Sequence, residues 1–89
     1  MSIRKVSIVQ LKAARMLVEW SQEELASAAG ISLPTIKRLE AAKGLLGGRE
    51  TTAQKIRNAL QKAGVEFIDE NGGGAGVRLR NHQRPKQSK

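Results

Sequence analysis

The side chains of this chain that could do chemistry are mostly cations and neutral hydrogen-bonding groups, and they are not arranged for catalysis. The 89 residues include no cysteine and a single histidine, His82. A thiolate nucleophile and a disulfide framework are therefore excluded, and one imidazole is too few for the usual zinc site. There is no nucleophile, base and orienting group at a recognisable spacing, and no phosphate loop of the GxxxxGK[ST] type. The run Gly72-Gly73-Gly74-Ala75-Gly76 lacks the strand-to-helix setting that a nucleotide site requires. Neither an enzyme, a cofactor nor a metal is expected. What remains is 16 Lys and Arg against 8 Asp and Glu, a formal net charge of +8. That balance suits a polyanionic partner, either nucleic acid or an acidic membrane surface.

The charge is distributed in blocks. Residues 1–63 carry a net +6, residues 64–76 a net −3 and residues 77–89 a net +5. The chain thus reads as a basic body over 1–63, an acidic connector and possible β-hairpin over 64–80, and a basic tail over 81–89, expected to be disordered.

The body must be helical to present its cations from a fixed surface. Ile8, Leu11, Ala14, Leu17 and Val18 follow helical spacing and predict a first helix over about 8–18. Ser21 with Glu24 three residues on is a capping box, opening a second helix over 22–29 with Leu25, Ala28 and Ala29 on its buried side. Gly30 stops it, and Ile31 plugs the corner. Ser32 is the next N-cap, and Pro34 is tolerated in the first turn of a third helix over about 33–42. Gly44, Gly47 and Gly48 mark a loop. Thr51 or Thr52 opens a fourth helix, whose stripe is Ala53, Ile56, Leu60 and Ala63. Val65 with Phe67, and Val77 with Leu79, are spaced by two around Asn71-Gly72, as a β-hairpin would be. The expected fold class is mainly α, four helices with a C-terminal hairpin.

Two short helices joined by a glycine corner cross steeply, with Leu25, Ala29, Ile31, Ile36 and Leu39 filling the angle and Ala26 and Ala28 allowing close approach. At about 100° per residue, Ile36 and Leu39 define the buried side of the third helix. Pro34, Lys37, Arg38 and Ala41 point outward, with Leu33, Thr35 and Glu40 at the flanks.

The run from Ser21 to Glu40 strongly resembles the lambda-repressor/Cro-like (XRE) helix-turn-helix family. "SQEELA", the "G-I-S" corner and "T-I-x-R-L-E" match in register, and the likeness extends over about residues 8–63. It implies a lambda-repressor-like domain that regulates transcription, binding double-stranded DNA at an inverted repeat as a homodimer, with helix 33–42 in the major groove. It also implies base contacts from Leu33, Pro34, Thr35, Lys37 and Arg38, and a backbone contact from Gln22. Arg15 and Glu40 match a structural pair that bridges the first and third helices in some members. Lys43 and Arg49, in the following loop, can reach phosphates or simply be solvated.

Leu33 and Pro34 stand where the family more often has polar side chains. They can touch a thymine methyl but donate no hydrogen bond, so discrimination leans on Arg38 and on DNA shape. Leu33 could instead pack on a neighbouring helix. Trp20 could stack on a base, but as one of two aromatic residues it reads better as a core or capping residue.

A second reading is the antitoxin of a toxin–antitoxin pair, with segment 65–80 occluding a protein partner. A membrane role is weak, because the basic tail has no apolar face to insert. Met1–Gln10 lacks the apolar run of a secretory signal, so the expected location is cytoplasmic, with the nucleoid.

If the cations bind duplex DNA, each neutralised phosphate releases counterions. Log affinity should then fall against log salt with a slope of about −0.9 per contact. Titrating a bound duplex with KCl checks this, and a flat response would exclude phosphate-driven binding.

Overall fold

A computed structural model describes residues 6–47, 50–69 and 73–80. Helix α1 spans Ile8–Leu17, α2 Gln22–Ala29, α3 Leu33–Ala41 and α4 Glu50–Lys62; strands β1, Val65–Ile68, and β2, Gly76–Leu79, follow. Asn71-Gly72, Arg49 and the basic tail 81–89 lie outside the described residues.

These helices are short, from 8 to 13 residues, a length at which an isolated helix is marginal in water. Their ends are correspondingly well satisfied. Ser7 and Gln10 form a capping box on α1, and Ser21 and Glu24 form one on α2. Gly30 closes α2 in the left-handed region at φ 71°. There the Gly30 N–H donates to Ser27 O and the Ile31 N–H to Ala26 O at 2.9 Å, satisfying carbonyls the helix leaves free.

Leu11, Ala14 and Val18 of α1, Leu25 and Ala29 of α2, Ile36 and Leu39 of α3 and Ile56 and Leu60 of α4 meet in one core. Ala26 is buried with them, whereas Ala28 is exposed. The expected placement of Ala28 on the inner side is thus corrected. The buried arc of α2 spans residues 25, 29 and 26, and position 28 falls about 60° beyond its edge at Leu25.

The hairpin is antiparallel, pairing Val65 with Leu79 and Phe67 with Val77 on one face. Val65 and Phe67 enter the helical core, with Val77 and Leu79 half-buried against it. The stretch read as a connector therefore shares the core of the helices. Its other face carries the cross-strand pair Glu66–Arg78, 2.9 Å apart.

Two links were not legible beforehand. The segment before α1 pairs with the segment after α3: Ser7 bridges Leu45, and the Leu46 N–H donates to Val6 O at 2.7 Å. Gln10 is buried, and its Nε2 donates to the carbonyls of Ile68 (3.2 Å) and Gly76 (3.0 Å). Those two residues are opposite each other in the hairpin register, so one amide holds both strands to α1.

Gln10→Met keeps the volume but leaves those carbonyls and the Ser7 N–H without their partner. It should lower stability by about 1–3 kcal/mol, measured by urea denaturation. Amide exchange should accelerate first in 65–68 and 76–79; uniform acceleration over the domain would argue against this docking role.

Candidate nucleic-acid interface

Helix α3 begins at Ser32, whose Oγ accepts from the Thr35 N–H at 3.3 Å and donates to Thr35 Oγ1 at 2.8 Å. The Thr35 hydroxyl thus takes part in the cap while its own proton remains able to donate. Pro34 occupies the first turn, where no intrahelical N–H bond is lost. Ile36, Leu39 and Glu40 are buried; Pro34, Lys37, Arg38 and Ala41 are exposed; Leu33 and Thr35 are intermediate. Leu33 packs against the core, so its side chain is shared between the interior and the outer flank. Lys37 and Arg38 have no hydrogen-bond or ion-pair partner among the described residues, which leaves two adjacent cations on one exposed ridge.

What aims that ridge is a charged clamp beneath it. Arg15 donates from Nε to Glu40 Oε2 at 2.8 Å and from Nη2 to Glu40 Oε1 at 3.0 Å. Its Nη1 donates to the Trp20 carbonyl at 2.8 Å. Gln22 Nε2 adds a third bond to the same carboxylate, at 3.0 Å from Oε1. The side chains of Arg15 and Glu40 are only 15% and 4% exposed. The bidentate geometry is directional as well as strong, because the planar guanidinium fork matches two carboxylate oxygens at once.

The structure therefore brings Arg15, Gln22 and Glu40 into one cluster and sets Pro34, Lys37 and Arg38 on the surface above it. Lys43 is exposed in the segment after α3; Arg49 lies outside the described residues. The link from Gln22 to Glu40, and the Trp20 carbonyl as a partner of Arg15, were missed by sequence reasoning. Glu40, expected at the flank of the third helix, is instead buried, because Arg15 and Gln22 satisfy its carboxylate there. Trp20 itself is half-buried against the core, in keeping with a packing role. Among the described residues, no group of three or more metal-binding side chains comes together, and no helix is long and apolar enough to cross a membrane.

A helix-turn-helix family model matches residues 11–67, which takes in α1 to α4 and the first strand. The chain belongs to the Cro/C1-type (XRE) helix-turn-helix family. No curated protein matches it. Membership makes the domain a helix-turn-helix transcriptional regulator that binds double-stranded DNA, and the family's domain is non-enzymatic. In helix-turn-helix terms α2 and α3 are the motif, and the Arg15–Glu40 clamp joins its second helix to α1.

Removing one partner of this clamp strands the other. Glu40→Ala should cost about 3–5 kcal/mol, the range for breaking a buried pair, because Arg15 and Gln22 both lose their acceptor. The joint replacement Arg15→Met with Glu40→Leu should recover most of that. Thermal and urea denaturation of the three chains checks the order; a double variant as unstable as Glu40→Ala would contradict it.

Proposed function

We propose that the chain is a sequence-specific regulator that binds an inverted repeat as a homodimer, with α3 of each copy in the major groove. The observation that carries this is the pair of exposed cations Lys37 and Arg38, free of partners among the described residues, on a helix whose roll is set by the clamp. Arg38 is the principal reader of a base. Its guanidinium fork suits the O6 and N7 acceptors of guanine, and neighbouring Leu33 and Pro34 have no donor to share that work. Leu33 and Pro34 contribute apolar contact to a thymine methyl, and the Thr35 proton and Lys37 supplement them.

Gln22, anchored through one amide hydrogen to Glu40, turns its remaining donor to a phosphate at the start of α2, where the helix dipole favours an anion. Lys43 and Arg49 add phosphate contacts. With so few hydrogen-bonding readers, the shape of the operator contributes to the choice of site. The domain measures 36 × 32 × 21 Å. Two copies side by side are on the scale of the roughly 34 Å that separates half-sites one helical turn apart. Such a regulator works in the cytoplasm, on the nucleoid.

Selection of bound duplexes from a random pool should recover a palindrome. On that site Arg38→Ala should cost about 1–3 kcal/mol, and much less on a scrambled duplex. Arg38→Lys should retain general affinity but lose much of the discrimination. Equal losses on both duplexes would assign Arg38 to the phosphates and remove it as a reader.

A further inference from the structure

The hairpin has an edge that its own domain leaves unpaired. The Arg80 N–H donates to Gly64 O, so these two residues form a hydrogen-bonded pair. Bonded and non-bonded pairs alternate along an antiparallel ladder. Glu66–Arg78 and Ile68–Gly76 are therefore bonded pairs, and Val65–Leu79 and Phe67–Val77 are not. The N–H and C=O groups of Val77 and Leu79 thus point away from β1, and none of them has a hydrogen-bond partner among the described residues. The corresponding groups of β1 belong to Val65 and Phe67, which are buried where that strand lies against α4 and α1. Val77 and Leu79 are only half-buried, and Ala75 before them is exposed. The open edge is that of β2, and it holds neither a proline nor a bulge to keep another strand away.

What this edge fits follows from its side chains. Ala75, Val77 and Leu79 fall on the inner side of the strand, and Gly76, Arg78 and Arg80 on the outer. A second β2 run antiparallel about a two-fold axis matches outward backbone groups whenever the axis passes through a residue, so charge and backbone geometry choose the residue. An axis at Arg78 sets that cation against its own copy, and an axis at Leu79 sets it against the partner's Arg80. Like charges directly opposite are unfavourable. An axis at Gly76 runs the pairing into Gly74, whose φ of 87° ends the extended backbone. An axis at Val77 meets neither obstacle. Arg78 then lies opposite the partner's Gly76, which has no side chain. On the inner side Val77 meets Val77, and Leu79 meets the partner's Ala75.

We propose that β2 pairs with β2 of a second copy of this chain, antiparallel about an axis through Val77, joining the two hairpins in one four-stranded sheet. The inference deepens the homodimer reading above and rests on it. Val77 exchanges hydrogen bonds with the partner's Val77 at the axis, and Leu79 does so with the partner's Ala75 on either side. The contact is isologous, the same patch serving both copies. It also gives the sheet the width that two short strands lack.

Gly76 supplies the test. A side chain at this position meets nothing within 4 Å and the backbone there is extended, so a charge introduced in the full chain leaves the monomer's fold in place. Gly76→Glu sets a carboxylate opposite the partner's Arg78, twice about the axis. By sedimentation equilibrium it should tighten the dimer about tenfold. Gly76→Lys opposes two cations and should loosen it by a similar factor. The same two charges at exposed Ala28 should leave the dimer constant unchanged, which separates the pairing from an effect of net charge. Val77→Pro removes the N–H that bridges the axis without touching the bonds to β1. It should abolish dimerisation while circular dichroism shows the fold intact. Equal dimer constants for Gly76→Glu and Gly76→Lys, or wild-type dimerisation by Val77→Pro, would overturn this edge and leave the homodimer reading standing. So would a Val77→Pro chain that still self-associates but no longer co-purifies with a different protein, which would make a strand of that protein the occupant. A wild-type chain monomeric at every concentration, and bound singly to its operator, would overturn the homodimer reading and this inference together.

Discussion

Glu40 is a buried carboxylate that accepts hydrogen bonds from Arg15 Nε, Arg15 Nη2 and Gln22 Nε2. An acid held that far from water is tolerable only when its charge is matched and its lone pairs are occupied, and here four chain segments are recruited to do it. Arg15 comes from α1, Gln22 from the first turn of α2 and Glu40 from near the end of α3. The carbonyl of Trp20, in the corner between α1 and α2, takes the remaining guanidinium nitrogen. The attitude of α3 against the body follows from this cluster more than from apolar packing. A nine-residue helix with Ile36 and Leu39 as its buried apolar anchors could roll on them, since hydrophobic contact is not directional. A bidentate ion pair is. Rolling α3 by one residue's angle would break it, and would swing Lys37 and Arg38 off the outer ridge.

The short helices are stable together because each terminates on its own chemistry. Capping boxes at Ser7 and Ser21 satisfy the leading N–H groups of α1 and α2, and Ser32 does so for α3. At the far end of α1 the chain turns through Glu19 in a left-handed conformation at φ 58°. The Glu19 N–H donates to Met16 O and the Trp20 N–H to Arg15 O. This is the same pair of closing bonds that Gly30 makes possible after α2. It brings Trp20 back toward Arg15, so the turn that ends the first helix also supplies a partner to the clamp.

The hairpin solves a different problem. Two strands alone are marginal in water, and these are four residues each. They persist because Val65 and Phe67 complete a core that four small helices leave open on one side, and because Gln10 ties the turn-proximal ends of both strands to α1. Arg80 closes the other end, its N–H donating to Gly64 O at 2.7 Å and its Nη2 to Gln61 O. The hairpin thereby braces α1, the helix that also carries Arg15 to Glu40 of α3.

Much of this was already determined by the residues in order. Helix positions followed from apolar spacing and from Ser21, Gly30, Ser32 and Pro34, because caps and breakers act over three or four residues of the same segment. The outward set of α3 followed from 3.6 residues per turn once Ile36 and Leu39 were recognised as inner. The family followed from motifs in register. What sequence could not decide was anything that joined distant segments. Gln10 reads as a polar break in an apolar helix until the hairpin, 58 and 66 residues away, offers it two carbonyls. Gln22 reads as a surface residue until Glu40 reaches it. Ala28 reads as inner until the packing direction of α2 is known. In each case the local pattern permits several partners or bearings. The choice among them is made by a buried group's need for a hydrogen bond, or by which face the neighbouring helices cover, and both exist only in the assembled fold.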